Sequence, residues 1–460
     1  MSEAKHLRPS NDPATVRAKQ KRRKILFLLL RFIAAVLITG SVAAVYYYST
    51  RPIEIYGQKI NVDAREIDLT GADIASVGEL LDNLAPFTKL EKLELGEYPV
   101  LADEEQKLIN GLYGVRIHYK CYVPIYGELV PRMAADLDLS GKDIGDVTEL
   151  SAALKKLPNI REVNLHGKSL TFEEQTALVN EFPEVKFGWE IELLGQSYSS
   201  DITDLDLSGN KRATPDLMRQ YVPLFTKLER LDMSDCGATN EEMDALRSDL
   251  PGVKVVWRIH MGRWSLKTDA VAFSVLIYDY SHTRLTSKDI EVLKYCTDLQ
   301  ALDIGHQAVT DISVLGDYLP QLRILILADN QVSDLTPVAK MKHLHYIELF
   351  VNSHLLNDLS PLASCKELVD ANVSYLHNVR DISPLYDLPM LERIWIEHTP
   401  IPADQLNTLR ERHPDAKIVV EGKGSVDQGW RTHERYFAMI GMFHDKNCTE
   451  LSESFSKYDK

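Results

Sequence analysis

The chain of 460 residues is 45% hydrophobic and 26% charged, and 52 Lys and Arg against 67 Asp and Glu give a formal net charge of −15. There is apolar residue enough for a sizeable core, and so acidic a balance repels nucleic acid and anionic lipid. Five cysteines in this length exclude a disulfide-dense scaffold.

Residues 1–24 form a basic segment. Lys5, Arg8, Arg17, Lys19, Lys21, Arg22, Arg23 and Lys24 stand against Glu3 and Asp12, a net of +6 that leaves −21 for the rest of the chain. Residues 25–48, Ile25 to Tyr48, then carry one charge, Arg31, in 24 positions. A bilayer core of about 30 Å takes about 20 residues at 1.5 Å each, so this run is expected to be a transmembrane signal anchor. By the positive-inside rule the N-terminus is cytoplasmic, and the rest of this single-pass chain is extracellular at the cell membrane. Tyr46, Tyr47 and Tyr48 fall where an interfacial aromatic belt sits, and Arg31 can snorkel toward the basic end. Ser41-Val-Ala43 offers a small-residue cleavage site, so a cleaved signal peptide is the alternative. Either way the remainder is exported.

Residues 52–298 repeat with a period of about 70 residues. Ala64-Arg-Glu-Ile67-Asp-Leu69 recurs as Ala134-Ala-Asp-Leu137-Asp-Leu139 and Ile202-Thr-Asp-Leu205-Asp-Leu207, at offsets of 70 and 68. A second line follows in each copy, led by Leu90, Ile160 and Leu228. Both lines read L-x-x-L-x-L, the spacing of a short strand with alternate residues inward and a third apolar residue wedging the turn before it. Thr171-Phe-Glu-Glu174 and Thr239-Asn-Glu-Glu242 are capping boxes, which start a helix in each copy. A closing strand is expected at Val115–Tyr119, Val185–Trp189 and Val253–Trp257, with a Gly-containing turn leading on. A fourth copy opens at Asp269 and then diverges.

From residue 299 to 422 the period shortens. Lines led by Leu299, Leu322, Leu344, Leu368 and Leu391 start 23, 22, 24 and 23 residues apart. Between them lie Asp311-Ile-Ser, Asp334-Leu-Thr-Pro337, Asp358-Leu-Ser-Pro361 and Asp381-Ile-Ser-Pro384. This pattern resembles the leucine-rich repeat family, and the D-I-S-P phrase its short, internalin-like class. The resemblance implies an α/β solenoid with a parallel sheet on the concave face and helices and turns on the convex face, here behind the N-terminal transmembrane helix. One position departs from the pattern. The ladder residue three after each strand is Asn only at Asn210, Asn330 and Asn352, with Cys236 in another unit. In the last turn, Leu409, Pro414 and Lys417 match Leu246, Pro251 and Lys254 without a gap, so the array ends on the strand that closes each long copy.

Residues between the leucines point away from the core, so consecutive turns align them as columns on the sheet face. In the long copies those columns hold Asp68, Glu94, Asp138, Asn164, Asp206 and Asp232. In the short repeats they hold Ile324, Ile326, Tyr346, Glu348, Phe350, Tyr375, Arg393 and Trp395. Aromatic and Arg side chains on an exposed patch are the usual anchors of a binding site, so these eight are the candidate binding residues. A further column holds His306, Asp329, Val351, Tyr375 and His398. The competing expectation is that a flanking segment folds over the aromatics.

Residues 423–460 form a cap or tail. Tyr436, Ile440 and Phe443 at i, i+4 and i+7 predict a short helix with one apolar side. Gly429-Trp-Arg-Thr-His433, followed by Arg435-Tyr-Phe437, resembles the ending of a group of membrane-anchored leucine-rich repeat proteins of gut Gram-positive bacteria, a likeness that carries no activity with it. Cys296 and Cys365 fall at core positions before a leading Leu, and Cys236 on the ladder, so disulfides are not expected. No nucleophile elbow, zincin motif, C-x-x-C or phosphate loop is present. His343 with His345, and His444 with Cys448, lack the spacing of a four-ligand metal site. No cofactor, metal or catalytic residue is expected. The expectation is a cell-surface protein that binds a protein or peptide, with glycan as a further ligand class, for adhesion or sensing. A structural envelope component, or an enzyme acting on the cell wall, is the alternative.

Overall fold

The computed structural model describes residues 13–275, 283–352, 354–445 and 448–458. Glu3, Lys5, Arg8 and Asp12 of the basic segment, and the Tyr48 side chain, lie outside the described residues. Among the described residues one helix, Pro13–Thr50, is long and apolar enough to cross a membrane, and its side chains between Val16 and Tyr47 are exposed. The chain divides into two compact units, one ending at Phe187 and the other starting at Gly188.

In the first unit, Glu66–Asp68 pairs in parallel with Lys92–Leu101, which pairs in parallel with Arg116–Ile125. Ile67, Leu93 and Ile117 lie side by side in that register, with Leu93 fully buried. Helices Val77–Leu84 and Ala102–Gly111 fill the connections. The same order returns as Asp136–Asp138, Val147–Leu154, Glu162–Asn164, Phe172–Glu181 and Lys186–Gly188. Alternation decides which side chains are buried: Leu137 is buried and Asp136 and Asp138 are exposed.

In the second unit a third copy stacks Asp204–Asp206, Arg230–Asp232 and Lys254–Val256, with Leu205, Leu231 and Val255 in register. A seven-stranded parallel sheet follows, from Ala272–Ser274 through Ala301–Asp303, Ile324–Ile326, Tyr346–Glu348, Asp370–Asn372 and Arg393–Trp395 to Lys417–Val419. This is the leucine-rich repeat arrangement, with three-residue strands on one side and helical turns on the other. Both capping boxes close as expected: Thr171 and Glu174, then Thr239 and Glu242, each accept the other's backbone N–H.

The irregular ladder keeps its hydrogen bonds with other chemistry. The Asn330 and Asn352 side-chain amides donate to the carbonyls of Ile304 and Leu327, one turn earlier. Where Asn is missing, the Thr399 hydroxyl donates to Val373 O at 2.6 Å and the Cys236 thiol to Leu207 O at 3.2 Å. The Gln307 side chain accepts from Leu285 N instead. The repeated Asp of D-I-S also has a mechanical reason. Asp311, Asp334, Asp358 and Asp381 each accept the N–H two residues on at 2.7–2.8 Å, an Asx turn that starts the next helical turn.

One element was not foreseen. The Gly-containing turns are the tips of β-hairpins, Pro52–Ile55 with Gln58–Asn61, the end of Arg116–Ile125 with Glu128–Pro131, and Glu190–Leu193 with Gln196–Ser199. Tyr56-Gly57, Tyr126-Gly127 and Leu194-Gly195 all have positive φ at both residues, the two-residue turn whose twist matches antiparallel strands. All five cysteines are free thiols, and burial pushes the Cys365 thiol up to about 12.

Candidate functional site

The site is the outer face of the seven-stranded sheet, and it is not open. The expectation that the eight candidate residues are exposed is corrected: Ile324, Tyr346 and Trp395 are fully buried, Ile326, Glu348, Phe350 and Arg393 are buried, and Tyr375 is half-buried at the rim. What covers them is the chain's own C-terminal segment. From Lys423 it crosses back over the sheet as a strap, a turn at Gly424–Val426, helix Glu434–His444 and a last turn Glu453–Ser456. Its helix reaches back as far as the first strand, Ala272–Ser274. Trp430, Met439, Met442, Leu451 and Phe455 form one apolar cluster with Ala301, Ile324, Ile326, Tyr346, Phe350 and Trp395.

Three contacts give this docking its specificity. The Trp430 indole stacks edge-on to Trp395, ring centroids 5.0 Å apart, and tilts against Tyr346 at 5.3 Å. Its N–H donates to Glu348 Oε1 at 2.7 Å, and the Tyr346 hydroxyl donates to the same oxygen. Asp370 lies between two guanidinium groups: Arg393 from the neighbouring strand at 2.7 and 2.9 Å, and Arg435 from the strap at 2.8 Å to both oxygens. Burial alone would raise the Asp370 carboxyl, but the hydrogen bonds and charges of Arg393 and Arg435 hold it below the usual range. Glu392 and the Tyr458 hydroxyl take a third Arg435 nitrogen.

The helix expectation is corrected in its face. Arg435, Met439 and Met442 are the buried positions, while Tyr436, Ile440 and Phe443 are half-buried beside them and Phe437 is exposed. A charged residue faces inward because Asp370 waits there, which a hydrophobic period cannot register.

Elsewhere under the strap, Asp303, Glu348 and Glu397 have no ion-pair partner among the described residues. Asp303 accepts from the Ser274 hydroxyl and Gly305 N–H, and Glu397 accepts from Gly424 N–H. Burial pushes Asp303, Glu348 and Glu397 up. A cavity of about 40 Å³ lies among Asp303, His306, Glu348, Arg431 and Tyr436, room for water only.

Beside the strap runs a partly exposed margin, with Val351 and His398 exposed and His306, Asp329 and Tyr375 half-buried. His306, Asp329, Val351, Tyr375 and His398, one per turn, have φ between 50° and 59°, a region that Gly favours and β-branched residues avoid. The left-handed kink turns the N–H of the first four toward the next repeat, as in His306 N to Ala328 O at 2.7 Å and Tyr375 N to Glu397 O at 2.8 Å. Their side chains align with neighbours outside the sheet. Tyr375 stacks on His398 at 4.6 Å and His354 on His377 at 6.1 Å. Val351 and Leu355 are exposed along the same margin.

No family model and no curated protein matches the chain. Among solved structures it is similar to an internalin of Listeria monocytogenes at 16% identity, over 79% of this chain and 84% of that one, with a TM-score of 0.26. It is similar to internalin C2 of the same organism at 17% identity, over 64% and 85%, with a TM-score of 0.23. A leucine-rich repeat protein of Leptospira interrogans shows 16% identity over 78% and 96%, with a TM-score of 0.26. The fold assignment stands on the strand register and ladder bonds above.

Proposed function

We propose that the chain is a membrane-anchored recognition protein whose second unit binds a protein or peptide partner at the cell surface. One observation carries this. The face where Ile324, Ile326, Tyr346, Glu348, Phe350, Tyr375, Arg393 and Trp395 converge already holds a peptide segment, and holds it by side-chain chemistry. An aromatic slot with a buried acceptor and a carboxylate set for a guanidinium are the parts of a recognition surface. Helix Pro13–Thr50, with Arg17, Lys19, Lys21, Arg22, Arg23 and Lys24 in its first turns, supports an anchor with the N-terminus inside. The carboxyl groups that a hydrolytic reading would need, Asp303 and Glu348, are buried beneath the strap beside a cavity of about 40 Å³.

A second reading has its own support in the partly exposed margin. Bulky side chains held at positive φ are strained, and strain of this kind collects at functional positions. Val351, Tyr375 and His398 are therefore contact residues in that reading. The test is photo-cross-linking of the full chain on cells from a reactive residue placed at Tyr375, and separately at Asp206 on the open sheet. A defined protein adduct from Tyr375 alone supports recognition by the second unit. Adducts only from Asp206, or from neither position, reject it.

A further inference from the structure

Stripped of the strap, the outer sheet face would present Tyr346, Trp395, Ile324, Ile326 and Phe350 together with four carboxyl groups, Asp303, Glu348, Asp370 and Glu397. Arg393 and, on the last strand, Lys417 are the cations set against them. Such a groove is aromatic and acidic, so it selects a basic segment with an indole. The strap, whose Lys and Arg are balanced overall by Asp and Glu, turns an indole and cations to this face: Trp430, Arg431 and Arg435 are the residues that it brings to the slot, the cavity and Asp370.

The fit is nevertheless unfinished. Among the described residues, the Asn372 side-chain amide, the Trp395 indole N–H and Glu397 Oε1 have no hydrogen-bond partner under the strap, and neither has Arg431 Nε of the strap. Asp303, Glu348 and Glu397 have no ion pair among the described residues, and Asp427 of the strap adds a like charge near Glu397. Each unpartnered buried group detracts from docking, and a buried charge without a counter-ion detracts more. Elements held this way open before the core does. The hinge is short and permissive, Gly422 and Gly424 both having positive φ against Glu397 and Tyr375.

We infer that the strap is a replaceable occupant, and that the groove beneath it accepts in its place a basic partner peptide carrying a Trp and, five residues on, an Arg. This rests on the recognition role proposed above and names the partner's chemistry. The residues that read such a peptide are Tyr346, Trp395 and Glu348 for the indole and Asp370 for the guanidinium. A partner that also supplies an acceptor to Asn372 and Trp395, and a cation to Glu397, satisfies groups that the strap leaves bare.

A tethered strap competes at an effective concentration near millimolar, so the test weakens it in cis and supplies the ligand in trans. The full chain bearing Trp430→Ala and Arg435→Ala is titrated with three synthetic peptides. One is residues 427–444, one is an unrelated helical peptide with Trp and Arg at the same spacing, and one is that carrier with both replaced by Ala. The expected result is binding of the first two to the variant and at least thirtyfold weaker binding of the third, with the wild-type chain binding none. Binding of the strap peptide alone overturns the partner class. A folded variant that binds neither overturns the inference altogether. Should the double variant lose the repeat fold, the Arg435→Lys chain is titrated in its place, and absence of binding there counts against the inference equally. Because only purified components are used, this outcome is independent of whether cells supply a partner.

Discussion

Two sheet faces within the second unit share one register and end up in opposite states. On Asp204–Asp206, Arg230–Asp232 and Lys254–Val256 the outward positions other than the buried Val256 are charged, and Arg230 compensates its acidic neighbours across the strands. Arg230 reaches Asp204, Asp232 and Asp269 at 2.9–3.1 Å. On Ile324–Ile326, Tyr346–Glu348, Asp370–Asn372 and Arg393–Trp395 the same positions are apolar, aromatic or singly charged, and a further layer of chain covers them. The backbone geometry is indifferent to this choice. What differs is whether the outward side chains satisfy one another: charges paired across the strands are complete in water, whereas an aromatic patch with more carboxyl groups than cations calls for an outside partner that brings both apolar area and a cation.

The largest test of that contrast is Asp370→Ala, which leaves Arg393 and Arg435 buried without their carboxylate. The expected loss is about 3–5 kcal/mol of stability, read as a fall in the melting temperature of the full chain. Asp204→Ala, which removes a half-exposed partner of Arg230 on the open face, is expected to cost about 0.2–1 kcal/mol. Equal losses would mean that the strap contact is no more than a surface ion pair. Leu205→Ala comes next. Leu205 is 1% exposed, on the inward side of the open sheet, so about 2–5 kcal/mol is expected. Its outward neighbour Asp206 is exposed and accepts only the Ser208 N–H at 2.8 Å, so Ala there should cost no more than about 0.5–1.5 kcal/mol, and a reversal of the two would displace the register by one residue.

A smaller effect separates the two faces by pH. Burial raises the Glu348 and Asp303 carboxyls, so each binds its proton more tightly folded than unfolded. Their contribution is full below the ordinary carboxylate range near 4 and is lost as pH rises through the raised values. Asp138 on an open sheet is held down by the Ser140 N–H, so its contribution is present above that range and lost on acidification. Glu348→Gln should therefore flatten the decline in stability on the alkaline side, and Asp138→Asn the decline on the acid side. Denaturant titrations of both variants from pH 4 to 9 check the two signs, and a like slope in both would erase the distinction.

The repeat register was legible because period and alternation are local properties. Leu137, Leu205 and the closing strands followed from spacing alone, and the family resemblance supplied the fold class. The hairpins were missed because Pro52–Ile55 and Glu190–Leu193 are four-residue arms whose tips read as ordinary glycine turns, and only the positive φ at Tyr56 and Leu194 reveals them. Long-range pairing was beyond reach. The columns displayed Trp395 and Tyr346 as a patch and Asp370 beside Arg393, yet nothing local ties Arg435 to Asp370 across 65 residues. One signal was available: a buried-strand Asp with a single neighbouring Arg, in a chain whose tail carries Trp430 and Arg435, is a surface short of one partner.

The smallest expected effect concerns the partly exposed margin, and it runs against the others. Val351 sits at φ 57° with its side chain in solvent. A left-handed conformation costs an L-residue roughly 1–2 kcal/mol, and more for a β-branched one. Replacing it by Gly removes that strain and adds back about 0.5–1 kcal/mol of chain entropy in the unfolded state, so Val351→Gly should stabilise the chain by about 1 kcal/mol. The kink itself is kept, since Val351 N must still reach Ser374 O at 3.3 Å. If the margin contacts the partner, the same substitution should lower the yield of adduct from Tyr375, one turn further on, while the melting temperature rises. A stabilised variant with undiminished cross-linking would make the strain at this position an incidental feature of the repeat, and leave the sheet face under the strap as the recognition surface.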